Sequence, residues 1–163
     1  MSLRASEDGE VAAALETPFG TSRRTDGGIL VGSGPGDWLL LGGPDAAGAA
    51  VDRFRSVADG ASELASVVDI SHGRAVFRLA GEDSAELLAG LCAIDLIGDR
   101  IPDGAALRTS VAGVVTDIVR LDSGGVRGYL LHCERSSGKY LFESLVEAGA
   151  AAGEAVDLGK LAG

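Results

Sequence analysis

The sequence predicts an α+β fold, antiparallel or mixed sheet with helices packed on it, and three observations predict it. A strand–glycine–helix pattern occurs twice, a β-branched stretch leads through Asp-Ser-Gly-Gly into a further strand, and that strand runs straight into helical sequence. Of 163 residues 46% are hydrophobic and 23% charged, the balance of a chain that builds a packed core. The length fits one domain. We therefore expect a single domain over residues 17–150 and weakly tied ends: 1–16 shows no clear strand period, and 151–163 is small, polar and interrupted by glycine.

Stretches from Thr17 to Arg24 and Gly28 to Val31 read as strands. The first strand–glycine–helix copy, WLLLGGPDAAGAAV, runs from Trp38 to Val51. Its apolar run reaches Gly43, Asp45 can cap a helix, and Ala47, Val51, Phe54 and Val57 share a helical face. Gly48 weakens that helix by roughly 1 kcal/mol relative to alanine. Strands at Val67–Ile70 and Arg74–Ala80 meet at a Ser71-His72-Gly73 bend, with Ala75, Phe77 and Leu79 on the buried face. The second copy, Val76–Ala89, begins 38 residues after the first. Asp83 and Glu86 have capping-box spacing there, and Ala85, Leu88 and Leu91 point one way. Arg108–Leu121 reads as one strand, joined as a hairpin by Asp122–Gly125 to the strand from Gly128. Ser136 or Ser137 can cap the last helix, with Leu141, Leu145 and Ala148 inward and Gly149 as its end. Helices spaced between hairpins give a sandwich of ferredoxin-like pieces.

Charge and motif content exclude several functions. With 24 acidic and 14 basic residues the chain carries −10, which repels nucleic acid and anionic membranes. No apolar run approaches the roughly 20 residues that span a bilayer, and MSLRASEDGE has no signal-peptide core, so a cytoplasmic location is expected. Cys92, Cys133, His72 and His132 have no zinc-ligand spacing, so no metal site is expected. His132 and Cys133 are neighbours on a strand and so face opposite ways, which argues against a thiol and its base. Gly27–Gly36 lacks the lysine of a P-loop and the spacing of a dinucleotide fingerprint, and reads as turns flanking a strand.

The motifs Gly34–Leu41 (GPGDWLLL), Asp69–His72 (DISH), Ala93–Leu96 (AIDL) and Arg135-Ser136 follow one another in order. On these the chain resembles the aminomethyltransferase and sarcosine oxidase gamma subunit family, from about Gly34 to Glu147. The resemblance implies the fold of the folate-binding domain of glycine-cleavage aminomethyltransferase. It also implies an accessory gamma subunit in a heterotetrameric sarcosine oxidase, beside alpha, beta and delta subunits. That complex is implied to use FAD, FMN, NAD and tetrahydrofolate in oxidative demethylation of sarcosine, with none expected on this chain alone. A homodimer of the isolated chain is open, and the alternative is a stand-alone folate or one-carbon binding module.

Transferases of this family carry paired aspartates in a G-x-[IL]-x-D-D-like context. The matching residues here are Gly113-Val114-Val115-Thr116-Asp117, so Thr116 replaces the first carboxylate and no catalytic residue is expected. Asp117 is the one cofactor-binding candidate, under the folate alternative; otherwise it reads as a strand-end acid in solvent. Asp69, Ser71, His72 and Gly73 are expected to hold a bend, since no nucleophile elbow accompanies them. Arg135 opposes the dipole at a helix start and with Ser136 is an interface candidate; Trp38, the only tryptophan, is another, with packing in the core as the equal alternative.

Overall fold

Period-two alternation builds two antiparallel sheets, each covered on one face by its own pair of helices. The computed structural model describes residues 1–43, 47–98 and 100–151. The chain divides into two compact units, the first from Met1 to Ser71 and the second beginning at His72.

Unit 1 contains β1 (Ser2–Arg4), α1 (Glu10–Leu15), β2 (Ser22–Thr25), β3 (Gly28–Gly34), β4 (Asp37–Leu41), α2 (Ala47–Gly60) and β5 (Ser66–Val68). Its sheet runs β2-β3-β4-β1-β5. Leu3 pairs with Trp38 on one side and Val67 on the other, and is fully buried with Val11, Leu15, Leu30, Leu40, Val51 and Phe54. The first sixteen residues are therefore built into a core, contrary to the expected loose end. A three-residue strand is too short to display a period, yet it is paired on both edges. Helix α1 follows Gly9, which has no capping side chain; Glu63 supplies the cap instead. Its carboxylate accepts from Val11 N at 2.7 Å and Ser6 N at 3.2 Å, while Glu10 accepts from Ser62 N at 2.9 Å.

A 3₁₀ turn at Ser71–Gly73 leads into unit 2: β6 (Arg74–Ala80), α3 (Ser84–Ala89), β7 (Ala106–Val111), β8 (Val114–Arg120), β9 (Gly128–Glu134) and α4 (Arg135–Ala151), with sheet order β6-β9-β8-β7. Ala85, Leu88, Ile118, Tyr129, Leu131, Cys133, Leu141 and Leu145 form its core. Close packing of α4 on β6 needs Gly138, where an added Cβ would lie 2.8 Å from the Ala75 Cβ.

The α+β reading with antiparallel sheets and packed helices holds; the single core does not, because each sheet closes over its own helices. Both units run strand, helix, three strands, helix, and order those strands first-fourth-third-second. The 38-residue sequence pattern is not this repeat. It matches the fourth strand of unit 1 to the first of unit 2, since any strand that turns through glycine into a helix looks alike locally. The strands flanking Ser71–Gly73 likewise belong to different sheets, β5 and β6.

Four local expectations need revision. Arg108–Leu121 is two strands, folded at Ala112 and Gly113, whose φ values of 48° and 82° place both in the left-handed region of a two-residue hairpin turn. Asp83 makes no side-chain cap bond to α3; the Ser84 hydroxyl donates to the Gly81 carbonyl at 2.7 Å instead. Helix α4 starts at Arg135, so Ser136 and Ser137 lie inside it, and it runs past Gly149 to Ala151. The Asp45 cap, the Ala47 side chain and the tail from 152 lie outside what the structure describes.

Candidate functional site

Asp117 sits in the middle of β8, and hairpin register decides what it meets. Arg108, four residues before Ala112, stands opposite Asp117, four residues after Gly113; Asp117 in turn stands opposite His132 on β9. Side chains alternate faces, so this row crosses three strands on the sheet face turned away from Leu107, Ile118 and Leu131 of the core.

Arg108 grips the carboxylate with both arms, Nε to Oδ1 at 2.7 Å and Nη2 to Oδ2 at 3.1 Å. His132 Nδ1 lies 3.2 Å from Oδ2. An ionised carboxylate only accepts hydrogen bonds, so Nδ1 carries the proton. The Asp117 and His132 side chains are 11% and 2% exposed, and that of Arg108 is 55% exposed. Burial pushes the Asp117 carboxyl upward, but the hydrogen bonds of His132 and Arg108 and their charge outweigh it, leaving the group below its ordinary value.

That arrangement makes a clamp rather than a base. Both carboxylate oxygens are engaged, and a lowered proton affinity weakens any role in general-base chemistry. The solvent-facing strand-end acid expected from sequence is instead a buried mid-strand ion pair. Thr116 points the other way, fully buried, with its hydroxyl donating to the Val114 carbonyl at 2.9 Å. Of the paired-carboxylate positions only one therefore reaches this face.

A second polar network closes the β8–β9 hairpin. Arg120 donates to Asp122 at 3.2 and 2.8 Å and to the Ile101 carbonyl, and Asp122 also accepts from Gly128 N at 3.3 Å. The Arg120 hydrogen bonds hold the Asp122 carboxyl below its ordinary value.

The remaining candidates are scattered. Asp69 Oδ1 accepts from Ser71 N at 2.9 Å and Ser71 Oγ at 2.6 Å, an Asx turn that opens the 3₁₀ turn containing His72 and Gly73, both exposed. Trp38 is 4% exposed and donates from Nε1 to the Thr17 carbonyl at 2.8 Å, so it is packed into the core of unit 1 with only an edge of its ring at the surface. Arg135 and Ser136 are exposed at the start of α4. Cys133 faces the core, away from His132, and burial pushes its thiol up. Among the described residues no group of three or more His, Cys, Asp or Glu is placed to hold a metal ion.

Sequence reasoning missed Arg108 and His132 as the partners of Asp117. The signal was present: once Ala112-Gly113 is read as a two-residue turn, register puts Arg108 opposite Asp117 directly.

Comparison with known proteins agrees with this architecture. The profile of the GCVT N-terminal domain family matches residues 39–159. No curated protein matches the chain. Among solved structures, a chain of the heterotetrameric sarcosine oxidase from Corynebacterium sp. U-96, in complex with pyrrole 2-carboxylate, is similar in fold. It superposes with a TM-score of 0.76 at 22% identity, over 97% of this chain and 82% of that one.

Proposed function

Since the chain belongs to the GCVT N-terminal domain family, we propose that it works as a non-catalytic accessory subunit, of the gamma kind, in a heterotetrameric sarcosine oxidase. The observation that carries this reading is the fold likeness over 97% of the chain to a component of such an assembly. Its partners are then alpha, beta and delta subunits in the cytoplasm, and FAD, FMN, NAD and tetrahydrofolate reside on them. Arg135 and Ser136 remain candidates for contact with those subunits.

The residues present do not fit folate at the family's carboxylate position. Thr116 is turned into the core, and Asp117 is occupied by Arg108 and His132. Surface cavities of about 540 and 210 Å³ lie on unit 1, and neither is lined by Asp117. The chemistry at that position therefore favours the accessory reading over a stand-alone one-carbon carrier.

The test is co-expression with flavin-bearing and folate-bearing subunits of this oxidase type, followed by purification on a tag carried by one of them. Stoichiometric recovery of this chain is expected. Its absence at low and moderate salt, together with heat or thermal stabilisation on titrating the isolated chain with tetrahydrofolate, would overturn the proposal in favour of the carrier.

A further inference from the structure

Unit 1 carries a groove of about 540 Å³ between the start of α1, the segment after it and the β3–β4 turn. Trp38 and Pro35 give it apolar walls, and Phe19, 60% exposed, also lines it. Glu7, Asp8 and Glu16 also line it, and among the described residues no lysine, arginine or histidine does. An exposed aromatic beside a concave apolar surface marks a contact site more often than an idle one. The three carboxylates, all exposed, decide what kind of contact.

We propose that this groove docks a cationic segment of a partner subunit, one that lays an arginine or lysine stem along Phe19 and delivers its charge to Glu7, Asp8 and Glu16. Only such an amphipathic side chain satisfies both surfaces, burying methylenes on the apolar walls while its head stays at the acidic edge. The walls are preformed. Glu63 fixes the start of α1, Trp38 Nε1 ties β4 to Thr17 at 2.8 Å, and Ala5 N bonds the Gly36 carbonyl at 3.0 Å. Little ordering cost is therefore left to binding.

The proposal rests on the accessory-subunit reading, and the experiment separates the two. Affinity for the co-expressed partner subunits is measured across a salt series for the full-length chain and three variants: Glu7→Gln/Asp8→Asn/Glu16→Gln, Phe19→Ala, and Glu82→Gln/Glu86→Gln as a control on unit 2. Neutralising three exposed pairs is expected to weaken association roughly tenfold and flatten its salt dependence. Phe19→Ala is expected to cost about five- to tenfold, and the control nothing. Matched circular dichroism and melting exclude misfolding. A wild-type chain that does not associate overturns the accessory reading and the groove with it. Association that all variants retain with the same salt slope overturns the groove alone. Self-association of the isolated wild-type chain in sedimentation, abolished by the triple variant, would reassign the groove to a second copy and also overturn the proposal.

Discussion

Replacing Asp117 with alanine removes the acceptor that three strands share. His132, 2% exposed, then keeps a buried Nδ1–H with no carboxylate, a loss of about 1–3 kcal/mol. Arg108, 55% exposed, can turn to water, so its half of the clamp contributes only about 0.2–1 kcal/mol. The sum places Asp117→Ala at about 1–4 kcal/mol, Asp117→Asn between it and wild type, and Arg108→Ala below about 1 kcal/mol. Trp38 belongs to unit 1 and reports on that unit, so the assay is native-state hydrogen exchange at Ile118 and Leu131, the chain neighbours of Asp117 and His132. The pH dependence has a definite sign. A carboxyl lowered on folding contributes stability that is complete above its unfolded value, about 3.9, and lost as pH falls through the lower folded value. The gap between wild type and Asp117→Asn should be flat at neutral pH and close only in strong acid. A gap under about 0.5 kcal/mol at neutral pH, or one that closes near pH 6, would refute the clamp.

Other residues give independent checks. Ala112→Gly relieves a left-handed alanine at φ 48° and should stabilise unit 2 by about 0.5–1 kcal/mol in hydrogen exchange; destabilisation would contradict the two-residue turn. Gly138→Val forces a methyl-bearing carbon into Ala75 and should lower stability by about 1–3 kcal/mol in a thermal melt, whereas an unchanged melt would deny the α4–β6 contact. Thr116→Asp restores the paired carboxylates but buries a charge in the core; it should cost several kcal/mol, about 3 or more, and yield no folate binding by calorimetry. Iodoacetamide should label the half-buried Cys92 well before Cys133, whose buried thiol is pushed up; faster labelling of Cys133 would place it outside the core.

Much of the fold was legible because strand–glycine–helix patterns and the Arg74–Ala80 alternation report burial locally. Val51, Phe54, Leu88 and Leu141 all fall in cores on the faces their spacing indicated. What escaped depends on pairing. A three-residue strand such as Ser2–Arg4 has no readable period, and Ala112 is an unusual residue for a left-handed turn position, so the β7–β8 fold-back was hidden. Losing that turn lost the register, and with it the Arg108–Asp117–His132 row. The duplication went unseen for a related reason: order in a sheet is set by which edges pair, and no local pattern encodes it. Trp38 could not be assigned between core and interface until Thr17 appeared as the acceptor of its indole.

Native mass spectrometry of the complex assembled with this chain, beside preparations lacking it, tests the accessory role most directly. One copy of the chain per assembly is expected, with flavin and folate bound to the other subunits and none retained by this chain after dissociation. Folate travelling with this chain alone, or an assembly of full mass and activity formed without it, would contradict that role.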